Sequence, residues 1–260
     1  MKHFLLLLPK ILIIASVIAV ILLEIFRGYF RDWKACWKKG GWFYLDGTHA
    51  VILCVLLGLM FFGDRAVRGA IQANDDHFAA ATFSNLGHQL GRYLFVMLVS
   101  VYVTGLALHS RESCRLVFGM LLTSIVTALI VTLLKFTFLR ARPFADLGPF
   151  SFFNLEGLIH DERTFQSFPS GDVAIVAGAA AYLFYMLQQP FFRWLPIVLL
   201  LSTAFSRISR NRHWPSDTAG SLLVALIAAK AIAHFSKTSN PSPPPRRANQ
   251  PSPSRREGEK

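Results

Sequence analysis

Cysteine is scarce in this 260-residue chain. Cys36, Cys54 and Cys114 are scattered and odd in number, so neither a disulfide framework nor a cysteine metal site follows. Acidic residues are also few, 15 against 27 Lys and Arg, for a formal charge of +12. No internal repeat and no DNA- or RNA-reading module is visible, and much of the positive charge sits in clusters beside apolar runs. That pattern suits membrane orientation better than nucleic-acid binding. What is abundant is apolar surface. The chain is 53% hydrophobic, with a mean hydropathy of +0.43. That excludes an ordinary soluble domain and points to an all-α, multi-span membrane protein.

Seven apolar segments are expected to span a bilayer as helices: residues 4–26, 49–62, 93–108, 116–139, 173–187, 194–205 and 218–235. For the first, a cleaved signal peptide is the alternative, opposed by the length of the run and the basic stretch after it. Residues 27–44 interleave Arg27, Arg31, Lys34, Lys38 and Lys39 with Trp33, Trp37, Trp42 and Tyr44, which reads as an interfacial segment. The polar segment 63–91 is expected to be a loop whose alanine-rich middle forms a short surface helix. Residues 236–260, rich in Pro, Ser and Arg, cannot bury apolar surface and are expected to be disordered. Three regions result: 1–47, an N-terminal span with its basic segment; 48–235, the transmembrane domain; and 236–260, the tail. If the spans alternate, the basic segments 27–39, 109–115 and 188–193 and the tail share one side, the cytoplasmic one. Segments 63–91, 140–172 and 206–217 then face outward together, and the expected location is the inner (cytoplasmic) membrane with these segments on its periplasmic side.

Three outward-facing pieces carry chemistry. At the end of the fourth span, Lys135 and Arg142 are seven apart, which places both cations on one helix face, with Pro143 marking the exit. Snorkelling cations at a membrane boundary are the bland alternative. The fifth span opens Pro169-Ser170-Gly171-Asp172. Free backbone N–H groups, a hydroxyl and a helix dipole make an anion site there, although simple N-capping explains the same residues. Between the last two spans lie three arginines, a histidine and an aspartate: Arg207, Arg210, Arg212, His213 and Asp217. Charge beside hydrocarbon is costly unless a ligand or partner compensates it. A carboxylate holding one ring nitrogen of His213 would leave the other free as nucleophile or base. Pro215 suits the first turn of the last helix, which puts Asp217 within reach of His213.

Together, Lys135-x6-Arg142-Pro143, Pro169-Ser170-Gly171 and Ser206-Arg207-x5-His213-x3-Asp217 resemble the three signature motifs of the type 2 phosphatidic acid phosphatase superfamily. The resemblance covers residues 116–235. It implies a bundle of about six to seven transmembrane helices with the phosphatase core in the last four to five. It also implies a metal-independent phosphatase that needs no cofactor and acts on a lipid phosphate or diphosphate in the bilayer, with no nucleic-acid partner. By the same resemblance Lys135, Arg142, Ser170, Gly171 and Arg207 bind phosphate, His213 forms a phosphohistidine and Asp217 orients it. One position departs: Asp172 stands where the family usually has a histidine that protonates the leaving group. Either Asp172 acts as an altered acid, the proton comes from elsewhere (His88, His160 and Asp161 lie on the same side), or activity is reduced. A non-catalytic lipid-phosphate-binding or transport protein and a lipid phosphotransferase are the alternatives.

Overall fold

The computed structural model describes residues 2–27, 47–74, 77–155 and 163–238. Among them are seven α-helices: α1 (Lys2–Phe26), α2 (Gly47–Ala73), α3 (Phe78–Ala107), α4 (Arg111–Phe138), α5 (Gly171–Met186), α6 (Trp194–Ser209) and α7 (Pro215–Thr238). Two short 3-10 turns, Pro143–Ala145 and Phe191–Arg193, complete them, and no strand occurs among the described residues. Each expected span is realised as a helix. Four stretches are long and apolar enough to cross a membrane: Phe78–Ala107, Arg111–Ala145, Phe191–Ser209 and Pro215–Ser236. Leu12–Phe26 and Gly171–Met186 are shorter apolar helices. The basic segment 28–46 and the tail from 239 lie outside the described residues.

Helix α5 is the axis of the bundle, packing against α3, α4, α6 and α7. Its sequence is apolar on every side, as a helix enclosed by others must be. Small residues set how close its neighbours come. A Cβ on Gly178 would lie 2.8 Å from the Ser124 Cα of α4, and one on Gly119 of α4 would fall inside the Tyr182 ring. On the far side of the bundle, α3 rests on α6 through Gly87, where a Cβ would strike the Ser202 carbonyl. Helix α1 docks on α3 and α4: buried Glu24 accepts a 2.5 Å hydrogen bond from the Tyr102 hydroxyl and pairs with Arg27 at 3.2 Å. Arg27 and the α3–α4 turn are thus at one end of the bundle.

Two expectations fail. Segment 63–91 is not a loop. Helix α2 continues to Ala73 and α3 begins at Phe78, because Asp64 points inward to buried partners while Arg65 faces out, so polar residues do not interrupt the helix. Nor do Lys135 and Arg142 share a helix face. Helix α4 stops at Phe138, Leu139 turns left-handed at φ 42°, and Arg142 is extended ahead of Pro143.

Candidate active site

Four segments meet at one end of the bundle: the last turn of α4 with residues 139–142, the Ser167–Ser170 approach to α5, the α6–α7 turn, and the middle of α2. His213 is 2% exposed on that turn, where Asn211 turns left-handed at φ 59°. Its Nδ1 lies 2.9 Å from the Ser167 carbonyl oxygen and 3.5 Å from Asp217 Oδ2. Donation from Nδ1 to the carbonyl leaves Nε2 the unprotonated ring nitrogen, without a hydrogen bond among the described residues. Burial pushes the His213 imidazole down to about 4, against the lifting effect of Asp217; Lys135 and Arg142 press it further down. The ring is therefore neutral at neutral pH, the state a nucleophile needs.

Asp217 lies in the first turn of α7, which Pro215 opens. Its Oδ2 accepts from the Ser167 hydroxyl at 2.5 Å and caps the helix by accepting from the Trp214 backbone N–H at 2.7 Å. Its Oδ1 accepts from Arg140 at 2.5 Å. The nearest Nδ1 partner of His213 is thus the Ser167 carbonyl, with the Asp217 carboxylate behind it.

The cations gather around the start of α5. Lys135 Nζ donates to the Gln166 carbonyl at 3.1 Å and lies 3.6 Å from where a Cβ on Gly171 would sit. Arg142 and Lys135 are within electrostatic reach of each other, and both feel Asp172 and Asp217. Arg207, on the last turn of α6, pairs with Asp172 Oδ2 at 3.2 Å. Asp172 is 43% exposed at its side chain, a surface partner of the arginine. Three donors in this cluster are buried with no partner: Ser170 Oγ, Arg142 Nε and Arg207 Nε. Orphaned buried donors are costly, and a phosphoryl group would satisfy all three. The structure thus brings all the residues of the three motifs together. His88, on α3, feels Arg207 and Asp172, while His160 and Asp161 lie outside the described residues.

Sequence reasoning missed the buried charges that lie behind Asp217. Arg140, wholly buried, donates to Asp217, to Asp64 at 2.6 Å, to the Ser216 hydroxyl at 2.7 Å and twice to the Pro149 carbonyl. Phe61, Phe152 and Trp214 face its guanidinium at 4.7–5.6 Å. Asp64 accepts the Ser216 N–H at 2.8 Å and hydroxyl at 2.6 Å. The available signal was Asp64 itself, the single acidic residue in Gly47–Ala73, since an ionisable group in an apolar helix needs a partner.

Over 90 residues, 34% of this chain, the sequence is 36% identical to an undecaprenyl-diphosphatase of Sulfolobus acidocaldarius. That match spans 43% of the length of the relative, less than half. The crystal structure of Aquifex aeolicus LpxE superposes with a TM-score of 0.47 at 21% identity, covering 64% of this chain and 92% of that one. The family model described as PAP2 superfamily matches residues 113–241, the stretch holding all three motifs, and through it this chain belongs to the PAP2 superfamily.

Proposed function

We propose that the chain is an integral-membrane phosphatase that removes a phosphoryl group from a lipid phosphate or diphosphate through a phosphohistidine. The observation that carries this reading is the set of three orphaned buried donors beside a neutral imidazole whose Nδ1 is tied and whose Nε2 is free. In the first step Nε2 attacks phosphorus, the N–P bond forms and the bond to the lipid oxygen breaks. Lys135, Arg142, Arg207, the Ser170 hydroxyl and the Gly171 N–H hold the phosphoryl oxygens as charge spreads over them. In the second step water attacks phosphorus, the N–P bond breaks and inorganic phosphate departs.

Asp172 is assigned here to fixing Arg207, its ion-pair partner at 3.2 Å, rather than to protonating the leaving group. Leaving groups that depart as stable anions are then favoured, which points to a lipid diphosphate, whose leaving group is itself a phosphate. The undecaprenyl-diphosphatase relative is in keeping with this choice. The site faces outward from an inner membrane, with the tail cytoplasmic. This placement rests on the basic turns containing Arg111, Arg115 and Arg193 at the opposite end of the bundle.

The test is phosphate release by detergent-purified protein, with EDTA present, on phosphatidic acid, phosphatidylglycerophosphate, a phosphorylated lipid A, and undecaprenyl mono- and diphosphate. Release is expected on the diphosphate and lost in His213→Ala. A retained rate in that variant refutes the nucleophile assignment.

A further inference from the structure

The buried charge behind His213 has a further consequence, which rests on the phosphoryl-transfer reading of that residue. We propose that Asp64 is a positioning residue: by sharing Arg140, it keeps the negative charge of Asp217 available to His213.

The donors and acceptors determine the charge state of the network. A guanidinium has five N–H donors, and Arg140 has acceptors for all of them in Pro149, Ser216, Asp217 and Asp64. Asp64 meets only donors: the Ser216 N–H, the Ser216 hydroxyl and Arg140. Asp217 likewise meets only donors, from Arg140, Ser167 and Trp214. Burial pushes the Asp64 carboxyl up, against the lowering effect of Ser216 and Arg140; a protonated carboxyl would need an acceptor, and with donors at every partner position both groups are ionised. Two carboxylates and one guanidinium leave a single net negative charge, and all three side chains are wholly buried.

That remaining charge matters when the imidazole reacts. As the Nε2 lone pair becomes the N–P bond, the ring turns cationic while its proton stays on Nδ1, donated in a hydrogen bond to the Ser167 carbonyl. The groups facing it are Lys135 from α4 and Arg142 from the following loop, which oppose the new charge, and Asp217 from α7, which favours it. Without Asp64, Arg140 and Asp217 would form a neutral pair inside an aromatic box. The cationic ring would then have no net counter-charge in a medium that screens poorly. Asp64 thus brings α2, which lies ahead of residues 113–241, into the chemistry.

The experiment uses full-length protein in detergent, labelled with 15N-histidine. The His213 signal is assigned by its loss in His213→Gln, and the ring is titrated in Asp64→Asn, Asp64→Glu and Arg140→Gln. Asp64→Asn is expected to lower the His213 pKa by about one unit, and Arg140→Gln to raise it by about as much. Asp64→Glu, which keeps the charge, restores the wild-type titration. In turnover, Asp64→Asn lowers kcat about tenfold with KM for the lipid unchanged, because the phosphate cage is intact. If Asp64→Asn fails to fold, the upward shift in Arg140→Gln still tests the charge argument, since a purely structural role moves no titration. Identical His213 titrations in the wild type and in every folded variant overturn the proposal. Shifted titrations in a protein that releases phosphate from no lipid leave the positioning intact and refute the phosphatase reading alone.

Discussion

At the scale of single residues, the state of His213 yields a pH prediction. Its folded value of about 4 lies below the ~6.5 of a free imidazole. Between those values the unfolded chain binds a proton that the folded chain refuses. The contribution of His213 to stability is therefore complete above ~6.5 and is lost as pH falls toward 4. Thermal melts in detergent should show Tm falling across that window, and His213→Gln should flatten the fall. Asp172 yields a second prediction. As the partner of Arg207, it can be replaced by Asn with a loss of less than about tenfold in kcat, whereas removing a true general acid costs about 10²–10⁴-fold. The motif residues were legible because cations, a Ser-Gly pair and a His-x3-Asp spacing are conspicuous beside apolar runs. Arg140 was not, because it sits two residues before Arg142 and reads as one more boundary cation until its buried partners are seen.

Among the helices, packing depends on small residues. A Cβ at position 178 would meet the backbone of Ser124 rather than a flexible side-chain tip, so α4 and α5 must separate to admit it. Gly178→Ala should cost about 1–3 kcal/mol and lower Tm measurably. Gly58→Ala, where nothing lies within 4 Å, should not lower it. The apolar runs announced the number and order of the helices. Their ends were less legible, because helices here extend past the hydrophobic stretch. Helix α3 starts at Phe78, well before Tyr93, and α4 ends where Leu139 turns left-handed rather than where the proline stands.

For the whole molecule, the prediction concerns sidedness. Cys114 is buried, so the native thiol there is a poor reporter. Cysteines placed at exposed Asp146, beside the site, and at exposed Gln189, in the α5–α6 turn, sample opposite ends of the bundle. An impermeant thiol reagent on intact cells should label Asp146→Cys and leave Gln189→Cys unlabelled until the membrane is opened. The reverse pattern would invert the topology.

Hydrophobic content and the run lengths by themselves determined a helical membrane bundle, because backbone polar groups in lipid must be satisfied within each segment. The three motifs, each readable as a local string, named residues that the fold gathers at one end of the bundle around the start of α5. Tertiary structure alone decided the rest. It set the Ser167 carbonyl against His213 Nδ1, tied Arg207 to Asp172, and placed Asp64 of α2 against Arg140 and Ser216. The physical reason is separation along the chain: Asp64 and Ser216 are 152 residues apart, and no local pattern specifies such a pair until the helices pack.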